Sequence, residues 1–560
     1  MNTIVFVILR RMRAPLLVLI GAYAVATLGM ALIPGPQGRP LDFFHAFYFV
    51  SYTATTIGFG EIPHPFSPAQ RLWTTFSLYL TVIAWIYAIG RLITLAQDPA
   101  LRRTLAEGRF ARTVRGLREP FFIVGGYGDT GKMLVSFLAS RRMRCVVIDS
   151  DPRRLDDLQL ADHPIYVPGL CADISHPDTM KRAGLEHPDC RGIIALTDRD
   201  DVNLHMAITA KLLRPKLPVI CRSETREAAA NMASFGTDHI IDPFDTFADH
   251  LFTALHTPCL FLLKTWLMGI ERPDRPKTPP HGLWILCGYG RFGKALYKRF
   301  KYEGLPVIVV EATPEKTGWP EDREHLVRGW GTDAVTLRAA RIKDAVGIVA
   351  GTNHDVNNLS ILITARELNP ELFVVARQNV PANHPLFAAI KADMIMQTSR
   401  ILSEHIRLLL TTPCLATFFH LARQQREAWA GKLITQLTEI LGKDLPEVWE
   451  VTLDPSETPA AAEALQQGWR IHLGDLLRDP RDREHRLPVF PLLLDRQGKR
   501  ELLPSPDTLL EPADRLLLCG RPGSASRMAW CLQNPIALRY ILEGRVPPQN
   551  FIWRWLSPSD

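Results

Sequence analysis

Two long uncharged stretches near the start of the chain constrain its fold most strongly. One runs from Ala14 to Ile33 and the other from Leu72 to Gly90. At about 1.5 Å of helix per residue, each is long enough to cross a hydrocarbon layer about 30 Å thick. Because a second such stretch follows, the first is interpreted as a membrane span and not as a signal peptide. The sequence therefore predicts a multi-pass membrane domain over residues 1–98.

Arginines flank the two spans unevenly. Only Arg39 and Arg71 lie between the spans. The remaining arginines precede the first span or follow the second: Arg10, Arg11 and Arg13, then Arg91, Arg102, Arg103, Arg109, Arg112, Arg115 and Arg118. Positive residues collect on the cytoplasmic side of a membrane. We therefore expect both termini in the cytoplasm and the spans in the cell's inner membrane.

The connection between the spans carries a short aromatic segment and then a glycine-containing stretch. Asp42 is a plausible N-cap for a helix over Phe43–Thr53, which is too short to cross a bilayer and favours a re-entrant helix. The residues that follow are Thr55, Thr56, Ile57, Gly58, Phe59 and Gly60. Alternating glycines let successive carbonyl oxygens turn toward one axis, where they can replace the hydration shell of an ion.

Span, short helix, Thr-x-Gly-Phe-Gly and span together resemble a potassium channel of the two-transmembrane type. The resemblance implies that K⁺ is held at Thr56, Ile57, Gly58 and Phe59, and that four chains close one pore. Phe59 stands where the family commonly has tyrosine, so the filter lacks a hydroxyl that could brace it from behind. A nonselective monovalent cation channel therefore remains an alternative.

The rest of the chain contains an internal repeat of two similar units. Residues 121–131 read FFIVGGYGDTG and residues 283–293 read LWILCGYGRFG. Further matches are Asp201-Val202-Asn203 with Asp355-Val356-Asn357, and Thr-Pro-Cys-Leu at 257–260 with the same four residues at 412–415. Repeated similarity in this order predicts two related domains.

Each copy opens with an apolar strand, a Gly-x-Gly-x-x-Gly turn and a helix. The turns comprise Gly126, Gly128 and Gly131, then Gly288, Gly290 and Gly293. A second strand ends in an acid in each copy, at Asp149 and Glu311. Glycines let the backbone approach a pyrophosphate, and the acid accepts hydrogen bonds from ribose. The pattern predicts binding of NAD(H) or an adenine nucleotide, with Arg291 favouring phosphate in the second turn and Asp129 opposing it in the first.

These halves resemble the regulator-of-potassium-conductance (RCK) domain. The resemblance rests on the glycine turn, the acid, the Asp-x-Asn segments and two Gly-x-x-x-Asp segments, which end at Asp173 and Asp333. It implies that Asp173 and Asp333 lie beside the nucleotide pocket and that helices near 245–256 and 400–411 pair the domains. Four chains would form a homotetramer with a cytoplasmic ring of eight domains, gated by a nucleotide or by a divalent cation at a site that the sequence does not identify.

The expected fold is a helical membrane pore module joined to two Rossmann-like domains with doubly wound parallel sheets and a small α+β lobe. An excess of only seven positive charges disfavours nucleic-acid binding. We find no catalytic constellation and expect no enzyme, although a membrane-anchored NAD-dependent oxidoreductase remains the alternative of another class. The predicted boundaries are pore 1–98, linker 99–119, first RCK domain 120–260, linker 261–282, second RCK domain 283–425, C-terminal lobe 426–525 and tail 526–560.

Overall fold

The computed structural model describes residues 2–36, 38–61, 65–269, 278–442 and 444–544. Part of the second predicted linker and the end of the predicted tail lie outside the described residues. The chain divides into two compact units. Unit 1 comprises residues 1–118 and 182–184, and unit 2 comprises residues 119–181 and 185–560.

Unit 1 is helical. Its helices are α1 (Asn2–Leu32), α2 (Phe43–Ala54), α3 (Pro68–Gln97) and α4 (Pro99–Arg115). The part of α1 from Arg10 onward and the whole of α3 are long and apolar enough to cross a membrane. Helix α2 matches the predicted re-entrant helix in length and position. Helix α4 occupies most of the segment that the sequence suggested as a linker.

Two tryptophans of α3 hold it against α1. The indole N–H of Trp73 donates to the carbonyl of Ala26 at 3.1 Å, and that of Trp85 donates to the hydroxyl of Tyr23 at 2.9 Å. Gly29 allows the close approach, because a Cβ there would lie 2.1 Å from the Trp73 ring. Large apolar side chains elsewhere on both helices are more than half exposed, among them Ile20, Leu28, Ile83 and Ile86. Such a surface suits lipid or further subunits.

Unit 2 begins with the first copy of the repeat. Its elements are β1 (Phe121–Gly125), α5 (Asp129–Ser140), β2 (Arg144–Asp149), α6 (Pro152–Leu160), β3 (Gly169–Cys171), α7 (Pro177–Arg182), β4 (Cys190–Ala195), α8 (Asp200–Leu213), β5 (Val219–Arg222), α9 (Arg226–Ser234), β6 (His239–Ile241), α10 (Pro243–His256) and α11 (Pro258–Leu267).

The second copy repeats this order. Its elements are β7 (Trp284–Cys287), α12 (Arg291–Tyr302), β8 (Val307–Glu311), α13 (Pro314–Thr317), β9 (Leu326–Arg328), α14 (Ala334–Ala339), β10 (Gly347–Ala350), α15 (Asp355–Leu368), β11 (Phe373–Gln378), α16 (His384–Ala389), β12 (Met394–Gln397), α17 (Thr398–Thr411) and α18 (Pro413–Ala422), with 3₁₀ turns at Arg323–His325 and Pro381–Asn383.

Both sheets are parallel and have the same strand order. The first runs β3-β2-β1-β4-β5-β6 and the second β9-β8-β7-β10-β11-β12. Chain direction across the sheet therefore reverses beside β1 in one and beside β7 in the other. This is the doubly wound fold that the sequence predicts, and ligands of such folds bind at that point of reversal.

The two copies exchange helices. Phe252 of α10 packs in the core of the second copy, where its ring meets Phe300 of α12 at a centroid distance of 5.0 Å. In return, Leu402 and Ile406 of α17 are fully buried in the core of the first copy beside Leu134 of α5. Helices α10 and α17 occupy the positions that the resemblance assigns to pairing helices.

A small lobe follows the second copy. It contains α19 (Glu427–Leu441), β13 (Glu447–Thr452), α20 (Pro459–Gln466), α21 (Leu473–Leu476), β14 (Arg478–Asp479), β15 (Asp482–Arg486), β16 (Val489–Arg496), β17 (Lys499–Leu502), β18 (Arg515–Gly520), α22 (Ser524–Gln533) and α23 (Pro535–Glu543). Its main sheet is antiparallel in the order β13-β18-β16-β17, and α19 packs on it together with α11 and α18. This confirms the predicted α+β lobe.

The exchange of helices predicts which side-chain truncations lower the free energy of unfolding most. Ile406→Ala should lower the free energy of unfolding by about 2–5 kcal/mol, because it leaves a cavity in the first copy's core. Thermal unfolding of the purified full-length protein measures the effect. Ile363→Ala removes the same atoms from a side chain that is 59% exposed and should change the melting temperature little. Equal shifts for both variants would contradict the exchanged packing.

Candidate ion filter and nucleotide pockets

The stretch after α2 has an alternating backbone. Thr56, Gly58 and Gly60 have φ values of 63°, 66° and 96°, whereas Ile57 and Phe59 between them do not have positive φ. Glycine adopts positive φ without strain, but threonine does so at a cost. The glycines at 58 and 60 therefore fit the conformation found, and Thr56 is the strained member of the predicted filter.

The C-terminal end of α2 holds the start of the filter in place. Thr56 N–H donates to the Thr53 carbonyl at 3.1 Å, and Ile57 N–H donates to the Tyr52 carbonyl at 3.0 Å. The Thr55 hydroxyl donates to the Ser51 carbonyl at 3.0 Å. Asp42 caps the other end of α2 by accepting from Phe44 N–H at 3.2 Å, as the sequence predicts.

A tyrosine of α2 braces the far end of the filter. The Tyr52 hydroxyl donates to the Gly60 carbonyl at 2.5 Å, and its ring meets the Phe59 ring edge-on at a centroid distance of 5.4 Å. Because Phe59 has no hydroxyl, the sequence predicts a filter that lacks this brace. In the structure, Tyr52 of α2 supplies a hydroxyl instead, through a contact that the sequence pattern does not reveal.

Glu61, the residue after the predicted filter, forms an ion pair with Arg71 near the start of α3. Glu61 accepts from Arg71 at 2.7 Å and 3.0 Å, and also from Phe66 N–H at 2.9 Å. Ser67 and Gln70 form a capping box at the start of α3. Glu61, directly after the predicted filter, is thus joined to α3 by a bidentate ion pair within the same chain.

In each glycine turn, the outer glycines serve the joint between strand and helix. Gly126 and Gly288 both have φ of 99°. A Cβ at Gly131 would lie 2.2 Å from the Gly126 carbonyl oxygen, and one at Gly293 would lie 2.0 Å from that of Gly288. Neither position can carry a side chain without a shift of the backbone. These four glycines are therefore explained by packing alone.

The middle glycines have no such structural role. A Cβ at Gly290 would meet no atom within 4 Å, and one at Gly128 would meet only the guanidinium of Arg154 at 3.8 Å. Each is the N-cap of its helix without a side-chain cap. Open space at an uncapped helix N-terminus fits a phosphate. Both pockets therefore pass this test for a nucleotide.

The acid of each pocket is held by backbone donors. Asp149 accepts from Tyr127 N–H at 2.6 Å and from Asp151 N–H at 2.9 Å. Glu311 accepts from Tyr289 N–H at 2.8 Å, in the same place in the second copy. Asp149 also accepts from Arg154 at 3.2 Å, and Glu311 also accepts from the N–H and the hydroxyl of Thr313 at 2.9 Å and 3.4 Å. A carboxylate has about four acceptor sites, so each acid keeps room for about one further hydrogen bond, such as one from a ribose hydroxyl.

The arginines near the two glycine turns are both held in ion pairs. Arg291 forms an ion pair with Glu224 of the first copy, and Glu224 also pairs with Arg222. In the first pocket, Arg154 lies beside Gly128 and forms an ion pair with Asp149 at 3.2 Å. The sequence pattern gives no signal for Arg154, five residues after the acid. A cation thus lies beside the middle glycine of the first turn, and Arg291 directly follows the middle glycine of the second.

The remaining residues assigned by resemblance are both near strand ends. Asp173 follows β3 and accepts from the Ser175 N–H at 2.9 Å and from the Ser175 hydroxyl at 2.7 Å. The hydrogen bond from this hydroxyl is the main cause that lowers the pKa of Asp173. Asp333 is the N-cap residue of α14, without a side-chain capping bond. Among the described residues, no group of three or more His, Cys, Asp or Glu side chains forms a metal site.

The sequence match that pairs Asn203 with Asn357 is wrong by one residue. The structural equivalent of Asn203 is Asn358 and not Asn357. Asn203 accepts from Thr197 N–H at 3.1 Å and donates to the Arg222 carbonyl at 3.0 Å. In the same way, Asn358 accepts from Thr352 N–H at 2.9 Å and donates to the Arg377 carbonyl in β11 at 2.7 Å. Both are fully buried. They join two neighbouring strand ends in each pocket.

Family models match both parts of the chain. Residues 15–98 match an ion channel domain, and residues 122–243 and 284–398 match the TrkA-N domain. The chain therefore belongs to the channel proteins that join a two-helix ion channel domain to TrkA-N, or RCK, domains. Within that class, it carries one channel domain followed by two TrkA-N domains in tandem.

Curated relatives include named potassium channels. "Potassium channel protein 1" of Methanocaldococcus jannaschii is 24% identical over 36% of this chain and 59% of its own length. "Voltage-gated potassium channel Kch" of Escherichia coli K12 is 30% identical over 30% of this chain and 38% of its own length. An uncharacterized protein of Methanothermus fervidus is 29% identical over 38% of this chain and 33% of its own length. The chain thus spans about a third to three-fifths of these relatives.

Two solved structures of one channel are also similar. "GsuK channel bound to NAD" has a TM-score of 0.46 and 16% identity, and covers 94% of this chain and 100% of its own. "Crystal structure of the GsuK bound to ADP" has a TM-score of 0.43 and 21% identity, and covers 73% of this chain and 99% of its own.

The brace behind the filter gives a testable prediction. Tyr52→Phe removes the hydroxyl bond to Gly60, which is worth about 0.5–1.5 kcal/mol. In reconstituted protein, the K⁺/Na⁺ permeability ratio should fall by roughly two- to tenfold, measured from bi-ionic reversal potentials. Tyr48→Phe removes a hydroxyl from a neighbouring exposed ring and should leave the ratio unchanged. An unaltered ratio in Tyr52→Phe would show that the filter does not need this bond.

Proposed function

We propose that the protein is a potassium-selective channel of four subunits, whose pore is regulated by nucleotide bound to a cytoplasmic ring of eight RCK domains. One observation carries the conducting part of this proposal. Between two helices long enough to span a membrane, a capped short helix leads into a stretch with positive φ at Thr56, Gly58 and Gly60. Irregular backbone at membrane depth is tolerated where it lines a polar cavity, as an ion filter does.

The proposed tetramer accounts for the exposure of the filter. Ile57 and Phe59 are each 60% exposed in the single chain. Four copies around an axis would cover these side chains and bring the filter carbonyls together. In the membrane, the arginines that flank α1 and α3 would hold both termini in the cytoplasm.

Conduction is tested by reconstituting the purified protein alone into planar bilayers. Under a steep K⁺/Na⁺ bi-ionic gradient, we expect a reversal potential near that of K⁺. A reversal near zero would favour the nonselective channel, and absence of current would reject conduction. Gly58→Ala is the matched negative control, because alanine is strained at φ 66° and should disable the filter while the RCK domains stay folded.

Nucleotide regulation rests on the two middle glycines and the two acids. Each pocket combines an uncapped helix N-terminus, room above the middle glycine and a carboxylate at the end of the second strand. A bound nucleotide would place its phosphates over Gly128 or Gly290 and its ribose at Asp149 or Glu311. An acid at this place disfavours a 2′-phosphate, so NAD(H) or an adenine nucleotide fits better than NADP. The ligand shifts gating only by its different affinity for open and closed states.

The glycines provide a matched set of variants. Gly128→Ala and Gly290→Ala should lower the affinity for NAD(H) or ADP at least tenfold with little change in melting temperature, because the new methyl group fills the space above the turn. Gly131→Ala and Gly293→Ala should instead lower the melting temperature, because each methyl group meets a carbonyl oxygen. Calorimetric titration and thermal unfolding separate the two effects.

A glycine outside both pockets serves as the control. Gly108 lies within α4, where a Cβ meets no atom within 4 Å, so Gly108→Ala should alter neither nucleotide affinity nor stability by much. Unchanged affinity in both Gly128→Ala and Gly290→Ala would mean that the turns are only structural joints. If one variant alone loses affinity, the binding copy is identified.

A further inference from the structure

A cavity of about 180 Å³ lies in unit 2, between the pairing helices and the helices that follow them. Residues of α10, α11, α17 and α18 line it. A water molecule in the liquid takes about 30 Å³, so the space accommodates a small ion with several waters. The cavity is remote in sequence from both glycine turns and contains none of the residues assigned to the nucleotide pockets.

The repeat brings the same pair of residues to this cavity twice. Asp249-His250 of α10 recurs 155 residues later as Glu404-His405 of α17. Both histidines line the cavity, one from each copy. Because α10 and α17 contact each other, the two imidazoles, one from each copy, line one space.

The copies differ in the cations that they add. Lys264 of α11 lines the cavity, whereas its equivalent in the second copy is Phe419. Arg423, just after α18, also lines it, and its equivalent in the first copy is Met268. Each copy has thus gained one cation at a position where the other copy is apolar.

The carboxylates at the cavity are already neutralised. Asp249 pairs with Arg423 at 3.2 Å, and Glu404 pairs with Arg400 at 2.7 Å. Lys264 is different: its ammonium lies 2.5 Å from Nε2 of His250, and no carboxylate of the described residues lies within 4 Å of it. Burying a cation is costly without a counter-charge. Lys264 is therefore the cation of the cavity that has no carboxylate in direct contact among the described residues, and only the more distant Asp249 and Glu404 raise its pKa.

Burial governs the protonation of these groups. It lowers the pKa of Lys264 to about 8 and that of His405 to about 4, and it places the pKa of His250 well below its ordinary value. At neutral pH, the imidazoles are neutral and Lys264 is mostly charged. The other titratable or charged groups near the cavity are His239 from β6, Asp249 from α10, Arg299 from α12, Arg400 and Glu404 from α17, His420 from α18 and Arg423.

We propose that this cavity binds a small oxyanion, with Lys264, His250 and His405 as its donors. Sulfate, phosphate and the carboxylates of small organic acids share the required chemistry: negative charge and oxygen acceptors on a compact group. A bound anion supplies the counter-charge that Lys264 lacks. It also favours protonation of the histidines, so anion binding and proton uptake are coupled.

Calorimetric titration of the full-length protein in detergent tests the site with sulfate, phosphate and succinate as probes. We expect saturable binding of sulfate, one ion per chain, with an affinity that rises as the pH falls from about 8 to about 6. Sulfate keeps its charge over this range, so the change reports on the protein. Tighter binding of succinate than of the inorganic ions would identify an organic acid as the better ligand of the same site.

Variants locate the binding. Lys264→Gln should weaken sulfate binding at least tenfold and flatten its pH dependence, because Lys264, with a pKa of about 8, is the group that gains a proton between pH 8 and pH 6. His405→Gln removes one imidazole donor and should weaken binding at both pH values. Lys343→Gln removes the charge of an exposed lysine elsewhere in unit 2 and should bind sulfate as the unaltered protein does. No saturable binding by the unaltered protein, or equal affinity in Lys264→Gln, would overturn the proposal.

If Lys264→Gln does not fold, His250→Gln and His405→Gln decide the question. Both keep Lys264 and replace one imidazole donor by a side chain of similar size, and both should bind sulfate more weakly than the unaltered protein at pH 8 and at pH 6. Affinity and pH dependence equal to those of the unaltered protein in both variants would overturn the proposal. Because binding is measured directly, the outcome is independent of whether the pore conducts.

Discussion

The mutual exchange of α10 and α17 is the interaction on which unit 2 depends. Each helix follows the last strand of one copy but buries its apolar face against the first helix of the other. Full burial of a side chain such as Phe252 or Ile406 contributes about 1.5–3 kcal/mol, and several such residues lie on each exchanged helix. Neither Rossmann-like core is closed without the other copy. The two glycine turns therefore belong to one body with a shared core.

The glycines of the two turns meet two requirements, close packing of the chain on itself and space for a ligand, and the sequence alone does not separate them. The outer glycines are dictated by contacts of the chain with itself, so their presence says nothing about a ligand. The middle glycine is the informative one, since apart from its chain neighbours a Cβ there would meet no atom within 4 Å in the second copy and only Arg154 in the first. The same distinction applies to any Gly-x-Gly-x-x-Gly turn whose surroundings are known.

Much of the fold could be predicted because it is encoded locally. The two spans follow from uncharged length, Asp42 and the glycine pattern define the re-entrant segment, and the repeat with its acids predicts two parallel sheets. The overlooked contacts are tertiary. Tyr52 reaches Gly60 only because α2 and the filter fold back on each other, and Glu224 meets Arg291 across 67 positions of sequence. The sequence pattern matches Asn203 with Asn357 because both segments read Asp-Val-Asn. The residue equivalent to Asn203 is Asn358, because these two asparagines lie on the buried faces of their helices.

Fusion of two copies in one chain has a consequence for the charges where the copies meet. In a dimer of identical subunits, any side chain beside the dyad faces its own copy, so an ammonium there would meet a second ammonium and a phenyl ring a second phenyl ring. Here the two halves are free to diverge, and the position that is Lys264 in the first copy is Phe419 in the second, with both side chains lining one cavity. A single cation at such a junction is an arrangement that strict symmetry forbids and gene duplication permits.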